Sequence, residues 1–208
     1  MKKFIIALTA ILIIATVPAF ADTVTFYDIS GYPWAVQQIC SLAEKGVIQG
    51  TSLHYYSPSE NVSRADICTL LCRTFQIEGV CNGGYADVAN PSDYYYSYVS
   101  AMKTLGIVKA DVNGNFRPYE SATRETTMRL AGFMLIRFGF YEDINTSVLD
   151  AFPDGGLVAP ENREYVAALV QGGFIQGDAQ GMLNPKGNLT RAEVAVILDR
   201  IDKYICGE

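Results

Sequence analysis

The sequence predicts an all-α fold in which three helix-loop-helix repeats pack around one axis. Three observations lead there. A short signature occurs three times, as Ser63-Arg64-Ala65-Asp66, Thr123-Arg124-Glu125-Thr126 and Thr190-Arg191-Ala192-Glu193. Fixed landmarks precede each occurrence: a proline six residues before the Arg (Pro58, Pro118, Pro185), a glycine twelve before that proline (Gly46, Gly106, Gly173), and an Asp eighteen or nineteen before the glycine (Asp28, Asp87, Asp154). The apolar residues between the landmarks fall at helical spacing. A repeat of about sixty residues is a supersecondary unit that needs neighbours, because one helix pair cannot bury both of its apolar faces.

The elements follow in order. Lys2-Lys3, the apolar run from Phe4 to Val17 and the small-x-small group Ala19-Phe20-Ala21 form a secretory leader over residues 1–21, with the mature chain starting at Asp22. The run is too short for a membrane anchor. Repeats are expected at 22–80, 81–145 and 146–208, with linkers near Gln76 to Gly84 and Phe138 to Leu149. In the first repeat, Phe26-Tyr27-Asp28-Ile29 is a short extended lead-in. A helix is expected from Trp34 to Lys45, with Pro33 at its first turn and Trp34, Ala35, Ile39, Leu42 and Ala43 as its apolar residues. Gly46 ends it in the left-handed cap conformation. A loop rich in Gly, Ser, Asn and Pro leads to a second helix, capped by Ser63 and carrying Ile67, Leu70, Leu71 and Phe75 on one face. In the third repeat, Thr190 and Glu193 form a capping box before the face of Val194, Ile197, Leu198 and Ile201. Ser63 with Asp66 is a weaker box, and the second repeat loses it because Thr126 replaces the acid.

Charge limits the function. The chain has 16 Lys+Arg against 22 Asp+Glu, a formal net charge of −6, and the leader removes two lysines more. Such a chain is a poor general nucleic-acid binder, and an anion must be held by locally placed cations rather than by the overall field. Five cysteines, an odd number, leave at least one unpaired or linked to another molecule, and none recurs between copies, so disulfides do not define the fold. Cys68 and Cys72, four apart on a predicted helix, read as small core residues in preference to a metal pair, since no second ligand pair has zinc spacing. Asp111 to Asn115 has the start of a calcium loop with its glycine and closing acid misplaced, and reads as a turn. No motif surrounds the single histidine, His54, and none points to a carboxylate pair, so neither enzymatic activity nor a cofactor is expected.

The landmarks resemble S-layer homology repeats. That pattern runs aromatic-x-Asp-Val/Ile, Trp-Ala with an Ile five after the Trp, Gly-Val/Ile-Ile-x-Gly, Phe-x-Pro, and Thr-Arg-Ala-Glu opening a helix. Here the lead-ins are Phe26-Tyr27-Asp28-Ile29, Tyr85-Ala86-Asp87-Val88 and Phe152-Pro153-Asp154. The central elements are Gly46-Val47-Ile48-Gln49-Gly50, Gly106-Ile107-Val108-Lys109-Ala110 and Gly173-Phe174-Ile175-Gln176-Gly177, followed by Tyr56-Ser57-Pro58, Phe116-Arg117-Pro118 and Leu183-Asn184-Pro185. The resemblance covers essentially the whole mature chain. It implies a three-pronged spindle with pseudo-threefold symmetry around a central helical bundle. It also implies that grooves between prongs bind a secondary cell wall polymer, a peptidoglycan-linked glycan often ending in pyruvylated N-acetylmannosamine, and so hold surface proteins on a bacterial wall. The alternative partner is another envelope protein, bound by a surface adaptor. No nucleic acid is expected as a partner, and no membrane once the leader is gone.

Arg64, Arg124 and Arg191 lead the site candidates. Each stands at the first position of a helix, where backbone amides carry partial positive charge, and a guanidinium fork beside them matches a planar carboxylate. Trp34 and Tyr94 are candidate platforms for the CH faces of sugar rings. Gly46 and Gly106, besides capping helices, let a ligand approach the backbone. Asp28, Asp87 and Asp154 either orient an Arg or a sugar hydroxyl, or pair with the three arginines and hold the prongs together. Compared copy by copy, Trp34 becomes Tyr94 and then Glu161. The grooves using Arg64 and Arg124 are therefore expected to suit sugar better than the one using Arg191.

Overall fold

The computed structural model describes residues 25–82 and 84–207, and the expected leader lies outside them. Each repeat contributes two α-helices: α1 (Val36–Glu44) and α2 (Arg64–Thr74), α3 (Tyr96–Thr104) and α4 (Arg124–Arg137), α5 (Arg163–Gln171) and α6 (Arg191–Cys206). Short 3-10 turns at Thr146–Ala151, Gly155–Leu157 and Pro160–Asn162 lead into α5, and no strand forms among the described residues.

The helix ends follow from local chemistry. Gly46, Gly106 and Gly173 take φ of 72°, 73° and 73°. The Gly46 amide donates to the Ala43 carbonyl and the Val47 amide to Leu42, a Schellman close that Gly106-Ile107 and Gly173-Phe174 repeat. Ser63 and Thr190 make complete capping boxes with Asp66 and Glu193, while Thr123 accepts the Thr126 amide with no acid to return the bond. Two expectations are corrected. The Ala35 amide donates to Tyr32, closing a turn around Pro33-Trp34, so α1 starts only at Val36 and Trp34 points outward, 53% exposed. The second linker ends sooner than expected, because Leu149 is buried in a 3-10 turn packed on α5.

Packing runs between repeats. α2 lies against α3, α4 against α5, and α6 returns to α1. Each second helix thus covers the first helix of the next repeat, and the array closes on itself. The α4–α5 approach is close enough that a Cβ at Gly132 would fall 2.1 Å from the Tyr165 carbonyl oxygen.

The helix openings close a second ring. The first two amides of α2, those of Arg64 and Ala65, donate to Glu120 and Pro118 of repeat two. Those of α4, Arg124 and Glu125, donate to Gly187 and Pro185 of repeat three, and those of α6, Arg191 and Ala192, donate to Glu60 and Pro58 of repeat one. Amides that every helix start leaves unpaired are thereby satisfied by the neighbour. Val62, Ala122 and Leu189, one from each repeat, are buried at these junctions. Buried Tyr56 seals the join of repeats three and one, its hydroxyl donating to the Arg191 carbonyl at 2.9 Å. Burial pushes that phenol up to about 12, so the donor keeps its proton.

Candidate ligand grooves between repeats

The lead-in aspartates act inside their own repeats. The Asp28 carboxylate accepts the amides of Tyr56 at 2.9 Å and Ser57 at 2.7 Å. Asp87 accepts those of Phe116 at 2.7 Å and Arg117 at 2.6 Å, and Asp154 those of Leu183 at 2.8 Å and Asn184 at 2.7 Å. The second residue of each pair is left-handed, with φ of 57° at Ser57, 61° at Arg117 and 51° at Asn184. Charge-assisted bonds to both amides hold that unfavourable conformation and present the aromatic-x-Pro segment to the neighbouring repeat. No ion pair forms between these aspartates and the helix-opening arginines. The Asp–Arg pairing considered from sequence is thus replaced by Asp–amide and Arg–carbonyl bonds.

Each helix-opening Arg reaches across a junction. Nε of Arg64 donates to the Phe116 carbonyl at 2.9 Å, that of Arg124 to Leu183 at 2.8 Å and that of Arg191 to Tyr56 at 2.7 Å. The guanidinium lies over the Phe116 ring at 4.9 Å for Arg64 and over the Tyr56 ring at 4.5 Å for Arg191, a cation–π contact that Leu183 denies Arg124. The rest of the fork separates them. Arg124 Nη1 donates to Glu193 Oε1 at 2.8 Å, and Arg191 Nη2 to the Gln49 carbonyl at 2.8 Å. The two terminal nitrogens of Arg64 have no hydrogen-bond partner among the described residues. A further correction concerns the backbone. The amides expected to help hold an anion are occupied, the first two by the neighbouring loop and the third by the cap. The guanidinium fork alone remains.

Three equivalent clefts result, and each draws on all three repeats. Arg64 shares a cleft of about 460 Å³ with Gly106, Lys109, Arg129, Tyr165 and Glu161. Arg191 shares one of about 430 Å³ with Gly50, Glu60, Asp66, Arg73 and Tyr94. Arg124 shares one of about 180 Å³ with Trp34, Gly177, Glu193 and Arg200. The aromatic candidates therefore serve other arginines than copy-by-copy comparison pairs them with: Trp34 faces the Arg124 cleft, Tyr94 the Arg191 cleft, and Glu161 occupies that place beside Arg64. Gly106 lines the Arg64 cleft, whereas the Arg191 cleft takes Gly50 in place of Gly46.

A second arginine escaped the sequence reading. Arg73 and Arg200 stand nine residues after their helix-opening Arg and donate to the carbonyls of Val47 at 3.5 Å and Phe174 at 3.0 Å. Repeat two has Phe133 at that position. Arg129, five after Arg124, reaches the equivalent Ile107 carbonyl at 3.3 Å instead. Arg129 thereby lines the cleft of Arg64, as Arg73 lines that of Arg191 and Arg200 that of Arg124. Burial and then the like charge of Arg64 lower the Arg129 pKa from its ordinary value. Neither guanidinium is paired with a carboxylate among the described residues. Two cations facing one concave space repel each other, and an anion between them relieves that repulsion.

Glu125 braces the wall of this cleft. It replaces the Ala of the other copies and is buried, accepting the Ala159 amide and the Asn162 side chain, each at 2.8 Å, and bonding Lys186. Burial works against its ionisation, but the bonds from Asn162, Lys186 and the Ala159 amide outweigh it and hold the carboxyl below its ordinary value. A depressed carboxyl stabilises the folded state above the unfolded pKa, and the contribution fades as pH falls through the folded one. Unfolding midpoints are therefore expected to fall as pH drops from about 5 to about 3, around and below the ordinary Glu value. The drop should shrink in Glu125→Gln.

Burial accounts for two cysteines. Cys68 and Cys72 are enclosed in α2, and burial pushes the Cys72 thiol up to about 12 and raises that of Cys68. Asp111 serves its own turn, accepting the amides of Asn113 and Asn115. No described helix is long and apolar enough to cross a membrane.

Comparison with known proteins places these features in a family. The S-layer homology domain matches at residues 25–68, 84–127 and 151–195. The exoglucanase XynX of Acetivibrio thermocellus is 32% identical over 85% of this chain and 16% of its own length. The amylopullulanase of Thermoanaerobacterium thermosulfurigenes is 30% identical over 86% of this chain and 10% of its own. The surface-layer 125 kDa protein of Lysinibacillus sphaericus is 29% identical over 96% and 17%. The chain thus spans less than a fifth of each of these relatives. It belongs to the S-layer homology domain family, with three tandem repeats.

Proposed function

We propose that this chain is a non-catalytic anchoring module of a bacterial cell surface, which grips an acidic wall polysaccharide in the clefts between its repeats. The closed ring of helices and cap loops supports a three-pronged spindle carrying three clefts. The observation that carries the reading is the pair Arg64 and Arg129, two guanidiniums with no carboxylate partner among the described residues, in the largest of the three clefts. The open fork of Arg64 suits a planar carboxylate, such as a pyruvate ketal, with bidentate geometry. The Arg124 and Arg191 forks are tied to protein acceptors, so those clefts depend more on Trp34 and Tyr94 as platforms for sugar rings. The Asp residues and Gly46 support the loops and helix ends that shape the clefts, while Gly106 also lines one. Export by the leader followed by wall attachment is the location this reading requires, and S-layer proteins among the relatives favour it.

Sedimentation with isolated walls tests the proposal. The protein should pellet with native walls and stay in solution once the secondary polymer is extracted. Retention on extracted walls would transfer the function to a protein partner. Within the Arg64 cleft, Glu161 opposes an anionic ligand. Glu161→Gln is expected to raise affinity for the acidic glycan about fivefold, the worth of ~1 kcal/mol between unit charges about 4 Å apart in water. Calorimetric titration of both forms reads the change.

A further inference from the structure

The Tyr94-Tyr95-Tyr96 run splits three ways. Tyr96 joins the core, Tyr95 is buried at 2% exposure, and Tyr94 stands 55% exposed. Tyr119, from the cap loop of the same repeat, is 74% exposed. Both exposed rings are braced edge-on by Tyr95, at 5.1 Å and 87° for Tyr94 and 5.7 Å and 88° for Tyr119. The Tyr94 hydroxyl donates to Asp66 Oδ1 at 2.7 Å. The Tyr95 hydroxyl donates to Asp93 Oδ2 at 3.0 Å and lies 3.0 Å from the Tyr119 hydroxyl, which donates back to it. Two exposed rings held upright in this way lose little freedom on binding, which is what a stacking platform needs. The ridge is confined to repeat two. Ala35 and Asn162 stand at the place of Tyr95, and Ser59 and Lys186 at that of Tyr119.

The ridge continues the Arg191 cleft, since Tyr94 lines both. Its electrostatics differ from those of the Arg64 cleft. Three carboxylates, Glu60, Asp66 and Asp93, stand against the two guanidiniums Arg191 and Arg73, and two donors of Arg191 are already committed to Tyr56 and Gln49. An anion gains less here than beside Arg64, Arg129 and Lys109, whereas an uncharged pyranose gains hydroxyl acceptors and two apolar faces. We propose that Tyr94 and Tyr119 form an extended subsite for uncharged sugar residues of the glycan chain, running outward from the Arg191 cleft. The inference rests on the glycan-binding reading but not on the anion site at Arg64.

The test uses oligosaccharides of one to six residues, prepared from purified wall polymer and stripped of acidic substituents, titrated into the full chain. Affinity is expected to rise about tenfold between one and three residues. Tyr119→Ala should remove about fivefold of that gain, the scale of one aromatic contact, while Tyr119→Phe retains most of it. An affinity independent of length, or a length dependence that survives Tyr119→Ala, overturns the subsite. If acidic fragments bind and neutral ones do not, the subsite alone falls; if neither binds, the glycan reading falls with it.

Discussion

Arg64→Ala is expected to lower affinity for the acidic glycan by about 10- to 100-fold. The fork offers two charge-assisted hydrogen bonds to a carboxylate, and losing such bonds costs about 1.5–3 kcal/mol. The variant also loses the Nε bond to Phe116 and the ring contact at 4.9 Å, so some stability goes with it. Arg64→Lys and Arg129→Gln separate the effects. Lysine keeps the charge but gives up the planar fork, and should recover affinity only in part. Arg129→Gln leaves the Phe116 junction untouched and should still weaken anion binding severalfold. Arg124→Ala should behave differently. Its fork is bound to Leu183 and Glu193, so denaturant midpoints should register more of its loss than ligand affinity does.

Asp154→Ala is the substitution expected to damage folding most. Its carboxylate is buried and takes the amides of Leu183 and Asn184, the latter held left-handed. Removing it strands both amides and releases the loop whose carbonyls receive Arg124 and the first amides of α4. Two such bonds at a buried site amount to about 3–5 kcal/mol, a large share of the roughly 5–15 kcal/mol that stabilises a domain. Asp87 makes the same two bonds on an exposed site, so Asp87→Ala should cost about 1–2 kcal/mol, with water replacing the carboxylate. Urea unfolding of the pair reads the ranking. Equal losses would show that burial does not set the cost.

Much of this was legible in the sequence because it is local. A left-handed glycine, a Ser or Thr followed by an acid two residues after the Arg, and an apolar face at helical spacing carry their meaning within a few residues. The three-copy spacing turned these signals into a repeat architecture. What the sequence left hidden is non-local. Trp34 serves Arg124, and Tyr94 serves Arg191, because every second helix packs on the following repeat. The first two amides of each second helix looked available to a ligand because only a contact more than fifty residues away occupies them. Arg129 was visible as an out-of-place arginine when the three helices are aligned. Its consequence, a second cation in the Arg64 cleft, needs the closed ring.

The central claim is that Arg64 and Arg129 hold a negative charge on the wall glycan. Calorimetric titration of the intact chain with native wall polymer, and with the same polymer stripped of its acidic substituents, tests it most directly. The account predicts tight binding to the native form and a loss of at least tenfold on stripping, with the loss largely absent in Arg64→Ala. Equal affinity for both polymers in the unsubstituted protein would contradict it.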